Sequence, residues 1–225
     1  MEVTAINLAR VLFFFPGGHE ISTGRISIHE ARKLLVDRYG FLKSPQTIDE
    51  WNPADGAIFS FGHHNGIIIM RFVIYPRGFA VETQTNTDDC EKVIQDLLTL
   101  AATTLGFVLS RPTLARKIFL SQITFLTEIS LDWLHPALKM LAERVNPFAR
   151  PLVDEKTYEA TGLILNVDES NLKIPAGAFT IERRVGVPFS QNTYFSSAPM
   201  PTKEHQKALE DFEATIMAER RRSGR

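Results

Sequence analysis

Histidines are the first candidates for chemistry, because the chain has six of them and two are adjacent. His63 and His64 come directly before an Asn65-Gly66 pair, which favours a tight hairpin turn. Neighbouring residues of a strand point to opposite faces of a sheet, so these two rings would not chelate one ion. The sequence therefore predicts no metal site. It leaves His63 and His64 as candidate contacts to a ligand or a partner at the tip of a hairpin.

Arginines form two local clusters that suit a phosphate-bearing ligand. Arg183 and Arg184 interrupt a predicted strand, and Arg220, Arg221 and Arg222 lie near the C-terminus. Over the whole chain, 25 Lys and Arg stand against 26 Asp and Glu, a formal net charge of −1. That balance excludes the global basic field of a protein that coats nucleic acid. Local binding of nucleic acid or of a small ligand stays as an alternative function, on a sheet face or in a cleft.

Catalytic sequence motifs are absent. The glycines at positions 17, 18 and 24 lack the spacing and the lysine of a phosphate-binding loop, and no G-x-S-x-G elbow occurs. Cys90 lies in the first turn of a predicted helix, but the acidic residues beside it oppose a reactive thiolate. We therefore expect no catalytic residue and no cofactor. An enzyme whose residues meet only in the fold stays as a second alternative, and its candidates are His63, His64, Glu82 and Glu182.

The composition indicates an ordinary globular chain of 225 residues, of which 44% are hydrophobic and 23% charged. These values exclude intrinsic disorder across the chain. A single cysteine excludes a disulfide framework and fits a reducing compartment. The first residues do not resemble a signal peptide, and the apolar stretch from Val93 to Leu109 is too short and too polar to cross a bilayer. We expect a cytoplasmic protein of bacterial type that does not contact membranes.

The elements that must position these residues follow from apolar periodicity and turn signals. Ser27 and Glu30 have the spacing of a capping box, which predicts a helix that ends near Gly40. Thr87 or Asp88 begins a second predicted helix, and the others are Leu131 to Val145 and one from Thr202. The predicted strands are Leu8 to Phe15, Ala57 to Phe61, Ile67 to Tyr75, Phe79 to Thr85, Ile118 to Ile129, Ala160 to Val167, Ala178 to Val187 and Tyr194 to Ser197.

These elements predict an α+β fold made of two similar halves. Each half runs β-α-β-β(-β)-α, over residues 1–110 and 111–218, and a basic flexible tail follows at 219–225. The segment Ala54 to Ile58 also resembles Ala160 to Ile164, which favours an internal repeat. A repeat of this kind would form a largely antiparallel sheet with a pseudo-twofold axis and helices packed on one face.

One predicted strand is more apolar than a half-solvated sheet requires. Ile67 to Tyr75 is apolar at nearly every position, whereas a strand with one wet face should alternate. We therefore expect both faces of this strand to be buried, by the rest of the chain or by a partner. Together with the missing motifs, this predicts a non-enzymatic interaction subunit of a homo- or hetero-oligomeric complex. The predicted interface residues are Ile67, Ile68, Ile69, Met70, Phe72 and Ile74.

Overall fold

A computed structural model describes residues 1–15, 27–51, 56–105, 116–130, 136–149, 158–168 and 177–223. The glycines at 17, 18 and 24 and the last two residues of the chain lie outside these ranges. The strands are β1 (Glu2–Phe14), β2 (Ala57–His64), β3 (Ile67–Tyr75), β4 (Gly78–Thr83), β5 (Arg116–Leu126), β6 (Gly162–Leu165), β7 (Phe179–Arg183) and β8 (Thr193–Ala198). The α-helices are α1 (Ile28–Tyr39), α2 (Thr87–Leu105), α3 (Pro136–Ala149) and α4 (Thr202–Ser223).

The predicted α+β class is confirmed. The succession β-α-β-β-β-α occurs twice along the chain, and the eight strands form one sheet in the order β2-β3-β4-β1-β5-β8-β7-β6. Strand pairs β2–β3, β3–β4, β1–β4, β6–β7 and β7–β8 are antiparallel. An internal repeat in the evolutionary sense stays a prediction.

The chain divides into two compact units. The N-terminal unit comprises Ile6–Gln122 with Pro199–Lys203, and the C-terminal unit comprises Met1–Ala5, Ile123–Ala198 and Glu204–Arg225. The first residues of β1 and the last residues of β5 therefore belong to the C-terminal unit.

Aromatic rings fill the core of the N-terminal unit. Phe13 and Phe79, partners across the β1–β4 pair, stack with ring centroids 5.4 Å apart. Phe72 stacks on Phe41 at 5.9 Å, and Phe59 lies at the same distance from Phe72. Ring pairs at such separations add to the stability gained from burial. Helices α1 and α2 close this core with Leu35, Tyr39, Val93, Ile94 and Leu97.

The C-terminal unit has a smaller core around Tyr194, whose ring stacks on Phe125 at 5.8 Å. Ile181 and Leu209 are buried in the same cluster. The chain's N-terminal ammonium forms an ion pair with Glu213 of α4. The first strand and the last helix of the chain therefore meet inside this unit.

Helix ends follow the local sequence signals closely. Glu30 N–H donates to Ser27 Oγ at 3.2 Å and Ser27 N–H donates to Glu30 Oε2 at 2.7 Å, which confirms the capping box. Gly40 ends α1 with a positive φ of 62°. The cap of α2 is Asn86, one residue before the predicted position, because its side chain accepts the N–H of Asp89 at 2.8 Å.

Two helices also cap each other inside the N-terminal unit. The N–H of Thr87, the first residue of α2, donates to the hydroxyl of Thr202 at 3.1 Å. The N–H of Thr202, the first residue of α4, donates to the hydroxyl of Thr87 at 3.0 Å. Both residues are buried, and each hydroxyl satisfies an amide that has no partner within its own helix.

The structure differs from the sequence prediction at several element ends, and three of these differences have a clear local reason. Strand β1 begins at Glu2 instead of Leu8, because residues 2–7 mix polar and small side chains that dilute the apolar signal. Strand β7 ends at Arg183, since a turn with Gly186 at φ 80° follows it. Helix α4 continues through Ser223, so residues 219–223 of the expected tail are helical.

Replacing Gly78 with alanine tests how closely β4 approaches β1. A Cβ at Gly78 would lie 2.1 Å from the carbonyl oxygen of Phe13, a backbone atom that cannot move aside within the strand. We expect Gly78→Ala to lower the free energy of unfolding by about 3 kcal/mol or more, measured by urea denaturation.

Gly66→Ala is the matched control, because its Cβ position has no atom of another described residue within 4 Å, apart from its two chain neighbours, and only its φ of 81° opposes the change. This variant should lose about 1–2 kcal/mol. Equal losses for the two variants would contradict the close approach.

Candidate functional site

The N-terminal unit has helices on one face of its strands. Val11 and Phe13 of β1 and Val81 of β4 pack in the core with side chains of α1 and α2. Side chains alternate along a strand, so the residues next to Val11, Phe13 and Val81 point to the opposite face of the sheet, where neither α1 nor α2 packs. We call that opposite side of β1, β4 and β3 the open face.

Strand register arranges the open face in three rows, each crossing β1, β4 and β3. The middle residues of the first two rows are small and their outer residues are larger, which leaves a groove along β4. In the third row a carboxylate lies between two guanidinium groups. The rows are Phe14–Gly78–Tyr75, Leu12–Ala80–Val73 and Arg10–Glu82–Arg71.

This groove is a cavity of about 450 Å³. Its walls are the half-buried side chains of Phe14, Tyr75 and Leu12, and Ala80 lies at its floor. The volume lies within the range of about 300–1,000 Å³ typical of small-molecule sites. The cavity therefore has the size and the aromatic lining of a binding site for a small ligand.

Two arginines line the cavity. Arg10 Nη2 lies 2.6 Å from Glu82 Oε1, and the buried Arg10 Nε has no hydrogen-bond partner among the described residues. Arg77 lies exposed in the two-residue turn between β3 and β4, where it forms no ion pair with any described residue. The lining thus contributes cationic groups and no carboxylate of its own, which favours an anionic ligand.

The predicted interface strand is divided between the two faces. Ile67, Ile69 and Phe72 are buried in the core of the N-terminal unit, and Ile74 packs partly against it. Ile68 is 62% exposed and Met70 is half-buried. The strand is apolar at both odd and even positions because the side chains that face the core change along it. Odd-numbered residues face the core up to Ile69, and even-numbered residues do so from Phe72.

An apolar surface remains on the outer side of the β2–β3 hairpin. Phe61 of β2, with an unusual φ of 58°, is 44% exposed beside Met70, and Ile68 lies one pair further along. Leu42 is 81% exposed, and its N–H donates to the carbonyl of Phe61 at 3.3 Å. We call Leu42, Phe61, Ile68 and Met70 the hairpin patch.

The two candidate histidines differ in their surroundings. His64 Nδ1 lies 3.6 Å from Asp96 Oδ2 of α2, and its ring packs edge-on against Tyr39 at 5.8 Å. His63 is exposed, and its ring fills the space where a Cβ on Gly40 would lie. Within the described parts of the chain, no three His, Cys, Asp or Glu side chains form a group that could hold a metal ion.

Asp96 already has several donors besides His64. The Tyr39 hydroxyl donates to it at 2.9 Å and Arg38 Nε donates at 3.1 Å. The hydrogen bond from Arg38 lowers the pKa of Asp96, and burial raises the pKa of Tyr39. This cluster therefore joins the end of α1 to α2 and to the end of β2.

The guanidinium group of Arg183 forms hydrogen bonds and an ion pair within the C-terminal unit. Its side chain is 5% exposed, with Nη1 donating to the carbonyl of Phe189 at 2.7 Å and Nη2 donating to Ser130 Oγ at 2.9 Å. Glu159 forms an ion pair with it at 3.2 Å. Arg183 therefore holds the loop after β7, whereas Arg184 is exposed with its guanidinium 5.8 Å from the ring centroid of Phe195.

The C-terminal arginines and the two candidate acids lie on three different elements. Arg220, Arg221 and Arg222 are exposed in the last turn of α4, where cations are favoured by the helix dipole. Glu182 is exposed on β7, whereas Glu82 is nearly buried beside Arg10.

Cys90 and a serine–histidine pair lie in the cores of their units. Burial raises the pKa of the Cys90 thiol to about 11, and its Sγ donates to the carbonyl of Ala9 at 3.3 Å. His205 Nε2 lies 2.8 Å from Ser196 Oγ, and that hydroxyl donates to the carbonyl of Thr180 at 2.7 Å. Both side chains of the pair are fully buried, so they form a core hydrogen bond out of reach of substrate.

Sequence reasoning missed the open-face residues Phe14, Tyr75, Arg10 and Arg77. The sequence feature that points to them is the two-residue Pro76-Arg77 turn, because it fixes the register of β3 against β4. The pairing of β4 with β1 joins residues far apart in sequence, and no local pattern specifies it.

Helices of the described part of the chain are too short or too polar to cross a membrane. Comparison with models of protein families gives no match, and no curated protein shows significant similarity to this chain. The functions of the candidate sites are therefore inferred from their geometry and chemistry alone.

The buried His205 predicts a loss of stability in acid. Burial lowers its pKa from 6.5 to about 4, so between these values the unfolded chain binds the proton and the folded chain does not. The free energy of unfolding should therefore fall by roughly 3 kcal/mol as the pH drops through this window. Urea denaturation at a series of pH values measures the slope.

His205→Gln removes the titrating group and should flatten this slope, whereas His29→Gln, at an exposed position on α1, should leave it unchanged. An unaltered slope in His205→Gln would show that other groups cause the acid dependence.

Proposed function

We propose that this protein is a non-enzymatic interaction subunit that binds a second protein chain through the hairpin patch. The observation that supports the proposal is the group of exposed apolar side chains on one edge hairpin of the N-terminal unit. The partner is a second copy or a different protein of the same compartment. The single buried cysteine favours a cytoplasmic location for such a subunit.

The patch has enough apolar surface to contribute substantially to binding. Leu42, Phe61 and Ile68 are large side chains that remain mostly or partly exposed. Fully burying side chains of this size stabilises a complex by about 1.5–3 kcal/mol each, before the entropy of association is subtracted. Phe61 and Ile68 lie on the paired strands β2 and β3, and the backbone of Leu42 is hydrogen-bonded to that of Phe61, so the patch is grouped like the apolar centre of a protein interface.

The edge of β2 favours contact through side chains rather than addition of a strand. Lys43 N–H donates to the carbonyl of Ser60 at 3.2 Å, and Ser60 N–H donates to the carbonyl of Lys43 at 2.9 Å. These bonds occupy backbone groups that an added strand would need, and covering an edge in this way is a common protection against aggregation. A partner would therefore bind the outer face of the hairpin.

The test compares two aspartate substitutions at exposed isoleucines. Ile68→Asp places a charge in the hairpin patch, and Ile164→Asp places one on β6, at 60% exposure in the C-terminal unit. We expect wild type and Ile164→Asp to form an assembly heavier than the 25.4 kDa chain, and Ile68→Asp to lose association at least about tenfold. Light scattering after size exclusion measures the mass, for protein purified from its native host and from a heterologous one.

An assembly seen in both preparations indicates a homo-oligomer, and one seen only from the native host indicates a different partner in fixed ratio. A wild-type protein that is monomeric in both preparations, without a stoichiometric partner, would refute the proposed function. So would an assembly that Ile68→Asp leaves intact.

A further inference from the structure

We propose that the open-face cavity binds one nucleotide unit, with its base between Phe14 and Tyr75 and its phosphate near Arg10. This site lies on the open face of the sheet and does not depend on the hairpin patch. The proposal rests on the spacing of the two rings, the small residues between them and the distribution of charge along the groove.

The two aromatic residues are spaced for a single intervening ring. Phe14 and Tyr75 are both register partners of Gly78, on either side of β4. Their Cα atoms are therefore two strand spacings apart, about 10 Å. Stacked rings have centroids about 4.5–7 Å apart, so one planar ring fits between these two. Gly78 has no side chain to occupy that space.

The charge along the groove favours an elongated anion over a short one. Arg10 lies four residues before Phe14 on β1, about 13 Å away along the strand. A benzoate-sized ligand stacked on Phe14 would not span that distance, whereas a base, a sugar and a phosphate would. Arg77, in the turn beside Tyr75, adds a second cation at the ring end of the groove.

Arg10 also has unused hydrogen-bonding capacity. Its Nη2 contacts Glu82, while its buried Nε has no partner among the described residues. The Arg10 side chain as a whole is 38% exposed, so a phosphate can approach the outer part of its guanidinium group, and arginine binds phosphate through several N–H groups at once. Across the sheet, Arg71 is the other register partner of Glu82, so the row keeps a net positive charge.

The test measures binding of adenosine 5′-monophosphate, adenosine and a labelled single-stranded RNA of eight adenylates to the full chain. Calorimetry serves for the mononucleotide and nucleoside, and fluorescence anisotropy serves for the RNA. We expect adenosine 5′-monophosphate to bind at least about tenfold more tightly than adenosine, because only the former carries the phosphate. RNA that binds much more tightly than the mononucleotide, with strong salt dependence, would identify a nucleic-acid strand as the source of the nucleotide. Equal affinity would identify a free nucleotide.

Substitutions in the lining test the assignment. Tyr75→Ala should weaken binding about 5- to 150-fold, the range for losing one stacked base, while Tyr75→Phe should retain it. Arg77→Gln, at an exposed turn position with no risk to the core, should weaken binding and reduce its salt dependence. Arg220→Gln, exposed at the end of α4, is the matched control and should bind as wild type.

Absence of binding by both adenosine 5′-monophosphate and the RNA at millimolar concentration would overturn the proposal. Binding that survives both Tyr75→Ala and Arg77→Gln would place the nucleotide elsewhere and would overturn it as well. Neither result depends on the oligomeric state, so failure here is distinguishable from failure of the interaction proposal.

Discussion

The position of β4 between β1 and β3 is the constraint on which the rest of the N-terminal unit depends. Gly78 approaches the backbone of Phe13 so closely that no side chain fits there. That register puts Phe79 and Val81 into the core and leaves Gly78 and Ala80 at the floor of a groove. One strand thus determines both the packing under the helices and the shape of the opposite surface.

The two faces of this sheet use aromatic residues differently. Under α1 and α2, the ring of Phe13 stacks on that of Phe79, the ring of Phe72 packs against Phe79 at a tilt, and all three are buried. On the open face, Phe14 and Tyr75 are held apart by a glycine, and both side chains stay half-buried. The hairpin patch adds a third apolar region, at the edge of the same unit. Strand register therefore preforms both surfaces on which the two proposals depend.

Local signals predicted much of the fold and little of the candidate site. The Ser27–Glu30 capping box and the Asn65-Gly66 turn are encoded within a few residues and agree with the structure. The open face depends instead on pairing between β1 and β4, which brings Arg10 beside Glu82 across 72 positions of sequence. The apolar run of β3 predicted a strand correctly. It did not predict which of its residues are exposed, because the alternation of buried and exposed side chains changes within the strand.

The existence of a covered face and an open face is tested most directly by hydroxyl-radical footprinting of the native protein. Phe13 and Phe14 are neighbours of the same residue type, so their rates of oxidation differ only through their environment. The structure predicts faster oxidation of the half-buried Phe14 and Tyr75 than of the buried Phe13 and Phe79, read by tandem mass spectrometry. Equal protection of Phe13 and Phe14, or faster oxidation of Phe13, would contradict the assignment of the open face and with it the cavity that the face contains.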